Sequence, residues 1–125
     1  MKYNELTRRY FETAASAGQL SAPVVHRGAA GNRRHGTWVQ FDLQAASGTL
    51  REVRFLAFGC PHTIAVSAWV AEQAVGTRLA RRLPSGVQAI SQQFALPAEK
   101  LGRLLIVEDA WLAAIEAALS DSSIE

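Results

Sequence analysis

The sequence predicts an α+β domain, a small antiparallel sheet of about three strands with helices packed on one face. Residues 37 to 58 alternate apolar and polar positions around a Ser47-Gly48 turn, the period of strands with one buried face. Beyond Cys60 the pattern changes to helical spacing punctuated by glycine and proline. A run of strands followed by a run of helices puts the helices together on one side of the sheet.

The first element is an amphipathic helix over about Asn4 to Ala17. Leu6, Tyr10, Ala14 and Ala17 recur on one face, and Gly18 is placed to stop it. Gln19 to Pro23 breaks the pattern, and Val24-Val25-His26 reads as a short edge strand. His26 to Gly36 (HRGAAGNRRHG) reads as a glycine- and arginine-rich loop, without the strand–loop–helix setting or the lysine of a phosphate-binding loop. Thr37, Val39, Phe41, Leu43 and Ala45 then share one face of a strand. Arg51 to Phe58 returns with Val53, Phe55 and Ala57 on one side.

Gly59-Cys60-Pro61-His62 ends that strand and opens a helix, proline being suited to the first helical position. Ile64 to Val75 continues as an alanine-rich helix to Gly76. Leu83-Pro84-Ser85-Gly86 is a turn, and Val87 to Phe94 a short helix. After a bend at Ala95 to Lys100, the last helix covers about Leu101 to Leu119. Leu105, Leu112, Ile115 and Leu119 form its apolar stripe around Trp111. Trp38, Trp69 and Trp111 are read as packing residues, and the polar tail after Ser120 is expected to fray.

With 125 residues, 49% of them apolar and 19% charged, the chain has the size and composition of one globular domain over residues 1–125. Its single cysteine excludes an intramolecular disulfide framework and fits a reducing cytoplasm. No apolar run is long enough to cross a bilayer, and Met1 to Glu5 carries no apolar signal region. A net charge of +2 implies no polyanion partner. Arg27, Arg33 and Arg34 form one basic cluster and Arg78, Arg81 and Arg82 another. Neither has interleaved aromatics, so both read as solvated surface rather than as a nucleic-acid site.

The stretch Val53 to Gly76 (VRFLAFGCPHTIAVSAWVAEQAVG) joins a strand ending in aromatic-Gly-Cys to a small-residue helix closed by glycine. Downstream stand Ala95-Leu96-Pro97 and Lys100, then Val107-Glu108-Asp109-Ala110. Upstream, Gly31 to Thr37 matches a Gly-x-x-x-Cys-Gly-Asp loop with His35 at the cysteine. On these residues the chain, from about Tyr10 to Leu119, resembles the NifU/IscU-type iron–sulfur scaffold family. The resemblance implies that family's fold and the assembly of an iron–sulfur cluster, with sulfur taken from a cysteine desulfurase. Family members use three cysteines, an aspartate and a histidine at one end of the fold. Here the second cysteine is Cys60, the first is His35, the aspartate is Thr37, and the histidine–cysteine pair before the last helix is Gly102-Arg103.

On that correspondence Cys60 and His35 are the candidate cluster-binding residues, and Cys60, His35 and His62 the candidate ligands of iron. Zinc accepts the same donor set. Against a cluster, Arg103 places a permanent charge at a ligand position; at about 4 Å and an effective dielectric of about 20 it opposes each unit of metal charge by roughly 4 kcal/mol. Cys60 begins a helix, where the dipole favours a thiolate, the form that accepts a persulfide sulfur or ligates a metal. Its other reading is a small apolar filler. His35 is equally read as an exposed loop residue, His62 as a solvent-facing first-turn residue, and His26 as loop. The Leu96 to Lys100 segment partly resembles the one by which scaffolds engage an Hsp70-type chaperone, and is otherwise a proline bend before the last helix.

Three function classes follow. The first is a scaffold-like protein binding iron or an iron–sulfur cluster through a reduced ligand set, completed by a partner. The second is a ligand-depleted scaffold fold acting as a protein-binding or regulatory module. The third, an enzyme with Cys60 as nucleophile, lacks any motif for a base or an oxyanion site and ranks last.

Overall fold

The computed structural model describes residues 3–14, 16–21 and 25–121. Helix α1 (Glu5–Glu12) is capped by Asn4, whose side chain accepts from the Thr7 amide at 2.8 Å. It stops at Thr13, short of the Ala17 expected from periodicity. The chain instead leaves the helix to meet the sheet, with Gly18 N–H donating to Phe55 O and Phe55 N–H to Ser16 O. That pairing competes with further helix and decides the boundary.

The sheet is antiparallel, in the order β1 (His26–Asn32), β2 (Thr37–Ala46), β3 (Thr49–Phe58). β2 and β3 follow the alternation closely. Val39, Phe41 and Leu43 face inward opposite Ala57, Phe55 and Val53. β1 corrects the sequence reading, because most of the segment taken as a loop is a strand and only the turn Arg33–His35 with Gly36 remains irregular. The expected Val24-Val25-His26 edge strand is displaced with it. Val24 lies outside the described residues, and pairing begins at His26.

The reason is packing. The inward positions of β1 are His26, Gly28 and Ala30, opposite Leu43, Phe41 and Val39, and helix α4 (Leu101–Leu119) lies directly on them. A Cβ at Gly28 would collide with the backbone of Ala113 and Ala114. Small residues are what the close approach of α4 requires, and they carry no apolar signal. His26 is buried, 8% exposed, with Nε2 2.8 Å from Asp121 Oδ2. It is a packed strand residue and not part of a loop.

Helix α2 (Pro61–Ala74) packs on β3 and against α1, where Tyr10 Oη donates to Glu72 Oε1 at 2.6 Å. The short α3 (Val87–Gln93) lies against α4. The core joins the inner sheet face to α2 and α4, and Phe41 meets Trp111 edge to face at 5.2 Å. Trp69 is likewise buried. The stripe of α4 is rotated from the expected one. Leu104, Val107, Trp111, Ile115 and Ala118 face the core, while Leu105 and Leu119 are exposed. On the outer sheet face, buried Asp42 accepts from Arg27 Nε at 2.6 Å and from the Leu20 amide at 3.0 Å. The frayed tail expected after Ser120 falls, from residue 122 on, outside the described residues.

Candidate functional site

β3 ends at Phe58, and the chain turns through Gly59 so that Cys60 becomes the N-cap of α2, with φ −75° and ψ 168° and Pro61 at the first helical position. Cys60 is half-buried. Its Sγ lies 3.6 Å from Thr63 Oγ1, one helical turn on. Arg103, on the first turn of α4, brings Nη1 to 3.8 Å from the same sulfur. The orientation that sequence alone left open is therefore inward, toward the thiol.

Burial pushes the Cys60 thiol up, but the Thr63 amide and hydroxyl, the His62 amide and the charge of Lys100 outweigh it, so the thiol ionises below its ordinary value of 9.0. Lys100 is 7% exposed, and its Nζ lies 5.6 Å from the centre of the Tyr3 ring. Among the described residues it has no ion pair. The sulfur thus sits among helix N–H groups, a hydroxyl and two cations, surroundings that suit an anion.

His62 does not face solvent. It is 3% exposed, meets the Tyr3 ring edge-on at 4.7 Å, and its Nδ1 has no hydrogen-bond partner. Burial first, then the charges of Lys100 and Arg103, hold its pKa below the ordinary 6.5, so the imidazole is neutral at physiological pH. His35 lies on the turn after β1, exposed. Gly31, which precedes that turn, has φ 88°, and a Cβ there would strike the Thr37 carbonyl.

His35, Thr37, Gly102 and Arg103 line one groove of about 370 Å³, together with Glu99 and Ile106. The positions matched to the family's ligands therefore come together, with Arg103 connecting the groove to Cys60. His62 lines a different, much smaller cavity, against Leu96, Lys100 and Leu104. Among the described residues no three His, Cys, Asp or Glu side chains are grouped to hold a metal. With one thiol, one exposed imidazole and a guanidinium against the thiol, the residues present do not fit an iron–sulfur cluster held by this chain alone.

Two residues at the site were not singled out from sequence. Thr63 stands three positions after Cys60, a spacing that aims a hydroxyl back at an N-cap, and was legible in principle. Lys100 was noted only within the Leu96–Lys100 segment, where Pro97 caps a single turn (Ala98–Lys100) and Lys100 packs inward. In the folded chain that segment is the bend before α4.

No helix of the described residues is long and apolar enough to cross a membrane. The sequence model of the family described as "NifU-like N terminal domain" matches residues 2–121. Iron sulfur cluster assembly protein 1 of Trachipleistophora hominis is 27% identical over 121 residues, covering 95% of this chain and 85% of that protein. The mitochondrial iron sulfur cluster assembly protein 1 of Debaryomyces hansenii is 28% identical over 87 residues, covering 70% of this chain but 49% of its own length, so the match spans about half of that relative. The crystal structure of a nitrogen-fixing NifU-like protein (N-terminal) from Brucella abortus superposes with a TM-score of 0.73 at 18% identity, covering 95% of each chain.

Proposed function

The chain belongs to the family of NifU-like N-terminal domains, and from that membership we propose that it serves iron–sulfur cluster assembly by carrying sulfur on Cys60, not by enclosing a cluster alone. The observation that carries this reading is the guanidinium of Arg103 at 3.8 Å from the Cys60 sulfur. A fixed cation there repels iron and favours an anion, whether thiolate or persulfide.

The step is a sulfur transfer. The Cys60 thiolate attacks the terminal sulfur of a protein persulfide on a cysteine desulfurase-like partner. The new S–S bond forms as the partner's S–S bond breaks, and the partner's cysteine leaves as a thiolate. No oxidant or reductant is consumed. Thr63, the α2 amides and the charge of Lys100 favour the Cys60 thiolate before transfer, and the two cations, Lys100 and Arg103, face the persulfide's charge afterwards. The reading makes the chain an acceptor and carrier, with no catalysed turnover of its own, and it needs a reducing compartment, which cytoplasm and mitochondrion both supply.

The test is anaerobic. Wild type, Cys60→Ala and His35→Ala are exposed to a persulfide donor and weighed by mass spectrometry, then reconstituted with iron and sulfide and assayed for both. The proposal expects one added sulfur atom on wild type and His35→Ala, none on Cys60→Ala, and no stoichiometric cluster on any. Cysteine-dependent iron and sulfide in equal amounts on wild type would overturn it in favour of cluster binding through Cys60 and His35. Iron or zinc retained without sulfide would overturn it in favour of a metal site completed by a partner.

A second reading has its own observation. Leu101 and Leu105, one turn apart on α4, are 42% and 44% exposed, an apolar strip on the face of the helix turned away from Arg103. It favours a module that docks onto an assembly partner without using sulfur, and partner binding that survives Cys60→Ala, with no persulfide formed, would select it.

A further inference from the structure

The second basic cluster, Arg78, Arg81 and Arg82, is not used at the Cys60 site. A cavity of about 540 Å³ opens where these residues leave α2, lined by Trp69 and Gln73 of α2, by Arg78, Arg82 and Leu83 of the following segment, and by Trp111 of α4. None of the residues around Cys60 lines it.

The three arginines differ. Arg81 is bound to Glu116, Nε to Oε2 at 2.6 Å. Arg78 and Arg82 have no ion pair among the described residues. Both are nonetheless anchored through their backbones. Arg78 bridges to Thr49, and the next residue, Leu79, donates its N–H to Gly48 O at 2.8 Å. The Arg82 carbonyl accepts from Trp111 Nε1, also at 2.8 Å. The cavity is therefore tied to the β2–β3 turn at one side and to α4 at the other, and two arginines without an ion pair among the described residues line it beside Trp69, Leu83 and Trp111.

We propose that this cavity binds a phosphate monoester of about mononucleotide size, with the phosphate between Arg78 and Arg82 and the ring or apolar body against Trp69 and Leu83. Two guanidinium forks match the two charges and three oxygens of a phosphate monoester, whereas a monocarboxylate leaves one fork unmatched. The volume lies within the roughly 300–1,000 Å³ of small-molecule sites and exceeds what an inorganic ion fills.

Calorimetric titration of the whole chain with adenosine monophosphate, ribose 5-phosphate, adenosine, inorganic phosphate and citrate tests this. The expected result is saturable binding of at least one phosphate monoester, with adenosine and inorganic phosphate about tenfold weaker or more. Arg78→Gln and Arg82→Gln should each weaken binding about tenfold. Arg78→Lys and Arg82→Lys, which keep the charge but lose the fork, should recover only part of it. Arg81→Gln and Cys60→Ala should leave it unchanged, the latter separating this site from sulfur transfer. No saturable binding of either phosphate monoester, binding indifferent to both arginines, or citrate binding as tightly would each overturn the proposal.

Discussion

Arg103 directs its guanidinium at Cys60 across the junction of α2 and α4, Nη1 to Sγ at 3.8 Å. Both residues stand at positions that the family resemblance matches to cysteines, so where that resemblance implies two thiolates a guanidinium faces a thiol. On the proposed function, these surroundings suit an anionic sulfur rather than a cationic metal, within the family's fold.

If those substitutions are what exclude a cluster, reversing them should restore it. His35, Thr37, Gly102 and Arg103 line one groove. The combined variant His35→Cys, Thr37→Asp, Gly102→His, Arg103→Cys is expected to retain iron and sulfide in near-equal amounts after anaerobic reconstitution, where wild type retains neither. A variant that folds and still binds no iron would show that something other than the ligand set has been lost.

The reactivity of Cys60 depends on Thr63. Thr63→Val removes the hydroxyl at 3.6 Å, one of the groups that lower the thiol's pKa against burial. The pH at which iodoacetamide alkylation reaches half its maximal rate should lie below 9.0 in wild type and move upward in the variant. An unchanged profile would assign the effect to the α2 amides and Lys100.

Gly28→Ala should destabilise the fold, since its Cβ would meet the α4 backbone, which cannot rotate aside. The loss is expected at the upper end of the about 1–3 kcal/mol typical of overpacking, read as a lower urea midpoint. Ala29→Ser, at the exposed neighbouring position, should be close to neutral.

Asp42 gives the chain an acid-sensitive contact. Its burial raises the carboxyl pKa, but Arg27, the Leu20 amide and Gln40 hold it below the ordinary 3.8. A depressed carboxylate stabilises the fold above its unfolded pKa, and that contribution fades as pH falls through the folded value. Asp42→Asn should therefore lose about 1.5–3 kcal/mol at neutral pH and show a shallower decline below about pH 4 than wild type. Parallel acid melts would refute this.

The sequence disclosed most of the architecture where burial is written in apolar residues. The β2–β3 hairpin and the span of α4 follow from spacing alone. β1 escaped because its inward residues are small or polar, chosen for the approach of α4 and not for hydrophobicity. The helical phase of α4 was misjudged for a related reason: with Leu104 and Leu105 adjacent, only the tertiary neighbours decide which one is buried. At the site, the motif pointed to Cys60, His35, Thr37, Gly102 and Arg103, the last four of which line one groove, but the direction of Arg103 and the burial of His62 under Tyr3 depend on contacts between distant segments, which no local pattern encodes.

The seating of α4 on β1 also constrains how the chain can fold as it is made. Synthesis delivers the N-terminal residues first, so the hairpin and α2 can associate while the last helix is still unmade. β1 has no such early cover, because the helix that covers Gly28 comes from the other end of the sequence. Contacts between such distant segments form slowly, and until they form this edge strand leaves its inner face bare as well. The interval before α4 docks is when this chain is most exposed to pairing with another.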